Sequence, residues 1–155
     1  DGNLHDENKA PTKIKELLDN CKPDLIVTHA PEDYHPDHRT LSKYVRNAAG
    51  FNCPILFSDT LLGVNFIPEY YVDITQFFEF KKDAILEHKS QNPIRFFEAT
   101  KILNRFRSAQ CNAPNNHYAE TYRFEKSFPF SDIRQMLPSS PVYKPYYKNI
   151  DEALI

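Results

Sequence analysis

The sequence predicts an α/β domain, a Rossmann-like three-layer arrangement in which helices cover a mostly parallel sheet. Short apolar runs that are typical of buried strands alternate with longer segments of helical periodicity. The 155 residues, 41% of them hydrophobic, fit one globular domain. Only three or four strands are predicted, whereas such sheets usually have about five or six. We therefore expect N-terminal strands of the domain to be missing from this chain.

The first half of the chain is predicted to form a helix, a strand and a second helix. Residues 12–21 carry apolar side chains at helical spacing. Residues 25–27 are a short apolar run, typical of a strand buried on both faces, and this strand should end near His29. Apolar spacing from Asp37 onward indicates the second helix, with Asp37 as its N-cap or as a first-turn acid and Gly50 as its stop.

The second half is predicted to add strands and a helical pair. A loop of about a dozen residues separates two strands, and loops of that length are often functional. A partly alternating segment predicts a late strand at the edge of the sheet. The predicted strands are 54–57, 70–74 and 117–125, and the predicted helices are 75–88, 93–110 and 132–137. We assign residues 1–137 to the domain and residues 138–155 to a proline- and tyrosine-rich C-terminal tail.

Composition argues against several classes of protein. A net charge of −2 without a basic tract disfavours nucleic acid as a partner. No run approaches the roughly 18 apolar residues of a membrane span. Three cysteines without a Cys-x-x-Cys pair disfavour a disulfide framework and favour a reducing, cytoplasmic location. The aromatic-rich C-terminal tail and the predicted helical pair would suit a homo-oligomer, although exposed aromatic side chains also fold back onto their own domain.

The densest chemical cluster is His35-Pro36-Asp37-His38, on a loop that runs into the second helix. Neutral imidazoles bind zinc, and a nearby carboxylate commonly orients the ring. Hydrolysis of an amide needs a metal-activated water, a base and a group that steadies the oxyanion, and an imidazolium suits the last role. The alternative interpretation is that two surface histidines happen to lie at the start of a helix.

The segment from Thr28 to Arg39, THAPEDYHPDHR, closely resembles the second signature of the LmbE/PIG-L family of zinc-dependent N-acetylglucosamine deacetylases. The opening Asp1-Gly2-Asn3-Leu4 and the segment Tyr118-Ala119-Glu120 resemble family features in the same order. The resemblance extends from residue 1 to about residue 128. It implies that His38 is a ligand of zinc or another divalent metal, that His35 polarises the acetyl carbonyl or protonates the leaving amine, and that Asp37 orients His35.

The first signature of that family, an Ala-His-Pro-Asp-Asp type loop, does not occur in the 155 residues. In the family this loop supplies a His and an Asp ligand together with the Asp that acts as base. A catalytic zinc normally needs three protein ligands, so we expect this segment alone to hold zinc weakly and to be inactive. We expect the chain to begin within a longer protein, and the alternative is a homologue that has lost the loop.

Other side chains are candidates for contact with substrate. Asp33 and Tyr34 are predicted to meet substrate hydroxyls, although Tyr34 could instead pack over the start of the helix. Glu120 on the late strand is a third candidate, and the alternative is a solvated acid or a contact with a neighbouring subunit. For His29, at the end of its strand, a structural hydrogen-bonding role is predicted.

The function predicted from these residues and the resemblance is a metal-dependent hydrolase that removes the N-acetyl group from an N-acetylglucosamine-type amino sugar or its conjugate. The first alternative is a non-catalytic carbohydrate-binding or scaffold homologue without the first metal loop. A second is a metal-binding α/β domain of unrelated chemistry. Nucleotide binding is disfavoured because 3 glycines cannot build a glycine-rich phosphate loop.

Overall fold

The computed structural model describes residues 2–126 and places four strands in one sheet flanked by helices. Single-turn 3-10 helices also occur, at Leu4–Asp6 and Thr75–Phe77. The strands are β1 (Ile26–His29), β2 (Ile55–Ser58), β3 (Tyr70–Asp73) and β4 (Ala119–Phe124), and the helices are α1 (Ala10–Cys21), α2 (Pro36–Ala49), α3 (Phe78–Leu86) and α4 (Pro93–Gln110). The helix predicted at 132–137, the domain limit at residue 137 and the tail at 138–155 lie outside the described residues.

The strand order in the sheet is β1-β2-β4-β3. Strand β2 pairs in parallel with β1, and β4 pairs antiparallel with both β2 and β3. Because β3 opposes β4, it runs in the same direction as β1 and β2, so three of the four described strands share one direction. The predicted α/β class is confirmed.

The prediction that the last strand lies at the sheet edge is wrong, because β4 lies between β2 and β3. Ala119 and Thr121 of β4 are only 3% and 2% exposed, whereas every residue of β3 is exposed. The alternation in β4 therefore reflects one buried face of an internal strand. The two edges of the described sheet are β1 and β3.

The main hydrophobic core lies between α2 and the parallel pair of strands. Ile26, Ile55 and Phe57 pack against Val45 and Ala49 of the helix. Phe57 is 1% exposed, and burial of such a ring contributes about 1.5–3 kcal/mol. Helix α1 adds Ile14 and Leu18 to the edge of this core. The second helical pair, α3 and α4, packs mainly through α4 against β4.

Helix α2 begins one residue earlier than predicted, and its N-cap is His35 rather than Asp37. The ring Nδ1 of His35 accepts a hydrogen bond from the backbone N–H of Asp37 at 3.2 Å, and Pro36 occupies the first helical position. Asp37 is the first-turn acid, the other role predicted for it. Gly50 ends the helix with φ at 55°, as predicted.

No helix within residues 2–126 is both long enough and apolar enough to cross a membrane. Cys21, Cys53 and Cys111 are free thiols.

Candidate metal centre

The sheet topology brings chemistry-bearing residues together at one end. His29 is the last residue of β1, and Ser58 is its neighbour at the end of β2. Because β4 runs in the opposite direction, its amino end, which carries Glu120, lies beside these carboxyl ends. Ligand sites of open α/β sheets lie at such carboxyl ends.

The loop from β1 to α2 packs three imidazoles against one another. The rings of His29 and His38 are stacked, with centroids 3.8 Å apart and planes within 4°. The ring of His35 lies 4.6 Å from that of His38, centroid to centroid, and is tilted by 34°. Among the histidines, the sequence motif pointed to His35 and His38 but not to His29, because His29 is nine positions before His38 and no periodic pattern joins them.

His29, Asp33 and His38 each offer one potential ligand atom, and these atoms all lie within 4.8 Å of one another. The His29 Nδ1 atom is buried and has no hydrogen-bond partner among residues 2–126. Burial, reinforced by His38, lowers the pKa of His29, so its ring is held in the neutral form that ligates metals. Imidazole nitrogens are donors that suit zinc and related divalent ions. The residues present therefore fit a divalent metal.

Asp37 is tied to the N-terminal segment by its carboxylate. Its Oδ2 accepts from the backbone N–H of Gly2 at 2.6 Å, and its Oδ1 accepts from that of Leu4 at 2.8 Å. The hydrogen bonds from Leu4 and then Gly2 hold the pKa of Asp37 below its usual value. Toward His35, it is the backbone N–H of Asp37 that makes the hydrogen bond at 3.2 Å. Orientation of His35 by the Asp37 carboxylate stays a prediction.

Asp33 and Tyr34 occupy different environments. Asp33 is 4% exposed and lies beneath the histidines, outside the cavity lining of residues 2–126. Tyr34 is 38% exposed, lines the cavity and meets the rings of His35 and His38 edge-on at 6.2 and 6.1 Å. Burial and the charge of Asp33 raise the pKa of Tyr34, so it stays a neutral phenol. Tyr34 is therefore placed to meet a ligand, whereas Asp33 is not.

A cavity of about 930 Å³ opens beside the histidines and extends to the second helical pair. Its lining also includes Glu120, which accepts from Lys81 Nζ at 2.5 Å and from the Tyr122 hydroxyl at 2.5 Å. Burial alone would raise the pKa of Glu120, but the hydrogen bonds from Lys81 and Tyr122 and the charge of Lys81 hold it below its usual value. Glu120 was a candidate from the sequence and Tyr122 was not, although Tyr122 shares the face of Glu120 at the i+2 position of the strand. Apolar lining comes from Leu61, Ile85, Phe96 and Leu103.

Fold and site together define an α/β domain with a histidine and carboxylate centre at the carboxyl ends of its parallel strands. Residues 1–49 match the model of the PIG-L family, GlcNAc-PI de-N-acetylase, which confirms the predicted family resemblance for that part of the chain. Among solved structures, GalB, the 4-carboxy-2-hydroxymuconate hydratase from Pseudomonas putida KT2440, is similar with a TM-score of 0.61 and 16% identity over 79% of this chain. The match spans 60% of the GalB chain, and at this identity it shows the fold alone. The search of curated proteins found no match.

Proposed function

We propose that the protein is a metal-dependent hydrolase that removes the N-acetyl group from an N-acetylglucosamine-type amino sugar or its conjugate. The observation that carries the proposal is the placement of His35, His38 and Tyr34 on one cavity wall, in the segment that matches the PIG-L family. We place the protein in the cytoplasm, since its three free thiols suit a reducing compartment.

The proposed metal ligand that faces the cavity is His38, with His29 beside it as a neutral donor. Zinc is the ion proposed, and another divalent metal would fit the same donors. When bound, such an ion supplies Lewis acidity toward a carbonyl oxygen and lowers the pKa of bound water. The residues of this chain hold the donors in place and shape the cavity around the acetyl group.

His35 is proposed to assist at the amide. Its Nδ1 accepts from the Asp37 amide, so the proton of the neutral ring is on Nε2. The Nε2–H of this neutral ring can donate a hydrogen bond to the developing oxyanion, whereas passing a proton to the departing amine nitrogen would require the imidazolium form of the ring. Hydrolysis then yields acetate and a free amino sugar, with the elements of water divided between them.

The part of the cavity that is lined by Glu120 and Lys81 is proposed to bind the sugar. Glu120 offers acceptor oxygens and Lys81 offers donor hydrogens, and a hydroxyl can use both at once. Phe96 supplies an aromatic surface in the same cavity, which suits the apolar face of a pyranose ring. Tyr34 at the mouth is proposed as a further substrate contact.

The test is release of acetate from N-acetylglucosamine conjugates, including GlcNAc-phosphatidylinositol, by the natural protein that carries this chain. The informative variant is His35→Asn, because asparagine also caps helices and preserves the start of α2. We expect turnover to fall roughly 100-fold or more while metal remains bound. His117→Ala serves as control, since this histidine lies outside the cavity lining and should change nothing.

Unchanged deacetylation by the His35→Asn variant would show that His35 takes no part in the reaction. Absence of acetate release in the wild type, with metal bound and the cavity intact, would contradict the proposed function. Binding of the conjugates without turnover would instead favour the carbohydrate-binding alternative. As a comparison, the protein is assayed for addition of water to an unsaturated acid, which is the reaction class that the name of GalB states.

A further inference from the structure

Asp33 is a carboxylate buried beneath the proposed metal ligands. Its side chain is 1% exposed, whereas that of the neighbouring His38 is 30% exposed. A buried carboxylate is costly unless donors satisfy its oxygens. The identity of those donors therefore indicates what the group does.

Both oxygens of Asp33 are engaged by donors from three parts of the fold. Oδ1 accepts from the backbone N–H of His35 at 2.8 Å and lies 3.0 Å from His38 Nδ1. Oδ2 accepts from the Thr60 hydroxyl at 2.7 Å, in the loop that follows β2. The backbone around Asp33 is itself clamped, because Arg39 Nη1 donates to the carbonyls of Asp33 and Tyr34 at 2.7 and 2.8 Å.

The contact with His38 determines where that ring carries its proton. An ionised carboxylate only accepts hydrogen bonds, so the contact at 3.0 Å requires a proton on Nδ1. In the neutral ring the lone pair is then on Nε2. Carboxylates that hold one ring nitrogen in this manner orient metal-binding histidines and raise their basicity.

We propose that Asp33 is a positioning residue: it fixes His38 as the Nδ1–H tautomer, so that Nε2 is the metal-binding atom. The inference rests on the proposed function only in taking His38 as a ligand. It gives Asp33 a different role from the substrate contact expected from the sequence. His29 and His38 remain the proposed ligands, and Asp33 is not one, because its two oxygens already accept from three donors.

The first test is the tautomer of His38 in the metal-free full chain, read from long-range proton–nitrogen NMR correlations with ¹⁵N-labelled histidine. The wild type should show Nδ1–H at His38. The Asp33→Asn variant keeps the shape of the side chain but loses its charge, so the Nε2–H form should gain population. An Nε2–H tautomer at His38 in the wild type would overturn the proposal.

The second readout is affinity for Zn²⁺, measured by competition with a chromophoric chelator. For Asp33→Asn we expect a loss of about 10- to 100-fold, as for other groups that orient metal ligands. Complete loss, equal to that of His38→Ala and without a change in tautomer, would make Asp33 a direct ligand and overturn the proposal. Thr60→Val leaves the Oδ1 contact in place, so it should retain the Nδ1–H tautomer and serves as the second variant if Asp33→Asn fails to fold.

The two proposals fail in different ways. A wild type with the Nδ1–H tautomer and tight Zn²⁺ binding, but no acetate release, supports the role of Asp33 and contradicts the deacetylase. A wild type that releases acetate but carries the Nε2–H tautomer at His38 supports the deacetylase and contradicts the role of Asp33.

Discussion

At the scale of single residues, the cavity is lined by polar groups that satisfy one another before a ligand arrives. Glu120 is the clearest case, because Lys81 and Tyr122 both bind its carboxylate. Tyr122 correspondingly has a raised pKa, through burial and then its hydrogen bond to Glu120. These groups are therefore an ionised carboxylate and a neutral phenol at neutral pH.

Replacement of Glu120 by glutamine is predicted to change how stability depends on pH. The pKa of Glu120 in the folded protein lies below its ordinary value of 4.5, so the folded state binds this proton less tightly than the unfolded state. The resulting stabilisation is fully present above pH 4.5 and is lost as pH falls through the lower folded pKa. Urea unfolding should therefore show a wild-type advantage over Glu120→Gln of up to about 1 kcal/mol at neutral pH. The advantage should shrink at about pH 3.

The matched control is Glu79→Gln, which removes an acid from the ion pair with Lys82. Glu79 has a side chain that is 76% exposed, so its removal should leave unfolding nearly unchanged at both pH values. If the stability difference between the wild type and Glu120→Gln stays constant between neutral pH and about pH 3, ionisation of Glu120 does not contribute to stability as predicted.

At the scale of elements, helices α2 and α4 position residues of the candidate site. Helix α2 begins at the histidine cluster, and α4 carries Thr100, Leu103 and Asn104 along the cavity. Asn104 also donates to the carbonyl of Ala119 at 2.8 Å, which fixes α4 against β4. Gln91 and Phe96, which flank the start of α4, also line the cavity.

Asn92 is predicted to be the stabilising N-cap of α4. Its side chain accepts from the backbone N–H of Arg95 at 3.2 Å, and Pro93 follows at the first helical position. Asn92→Ala should lower the free energy of unfolding by about 1 kcal/mol, measured in urea, whereas Asn92→Asp should be close to neutral. Equal losses in the two variants would show that the cap does not contribute.

The boundaries of helices and strands could be predicted from local sequence patterns, whereas contacts between distant parts of the chain could not. Helix α4 was predicted with the limits observed, because Pro93 and the apolar spacing are local signals. The internal position of β4 depends on pairing with β2 and β3, which no local pattern encodes. The same limit applies to the metal-binding candidates. The local motif identified His35 and His38, whereas His29 and Asp33 come close to His38 only once the loop has folded.

At the scale of the whole molecule, one buried ion pair joins the second helical pair to the sheet. Arg107 of α4 donates from Nε to Asp59 Oδ2 at 2.7 Å, and the two side chains are 4% and 5% exposed. Thr121 of β4 donates to the same oxygen at 3.0 Å. Helix, loop and strand thus meet at one buried carboxylate.

Arg107→Met should destabilise the protein by about 3–5 kcal/mol, because it leaves the Asp59 carboxylate buried without its cation. Arg46→Met is the control, since Arg46 pairs with Glu125 where its own side chain is 42% exposed and should cost at most about 1 kcal/mol. Comparable losses for the two variants in urea unfolding would contradict the stated difference between buried and exposed pairs.

Self-association stays a prediction. The largest exposed apolar side chains of the second helical pair and the turn before it are Phe77, Phe80, Ile94, Ile102 and Phe106, each more than half exposed. Light scattering coupled to size-exclusion chromatography measures whether the chain associates.

The measurement that tests the central claim most directly is the metal content of the natural protein that carries this chain, determined by elemental analysis beside the His38→Ala variant. We predict about one divalent metal ion per chain in the wild type and its loss in the variant. Failure of the wild type to retain metal after incubation with zinc, or full retention by His38→Ala, would contradict a metal centre built on His38.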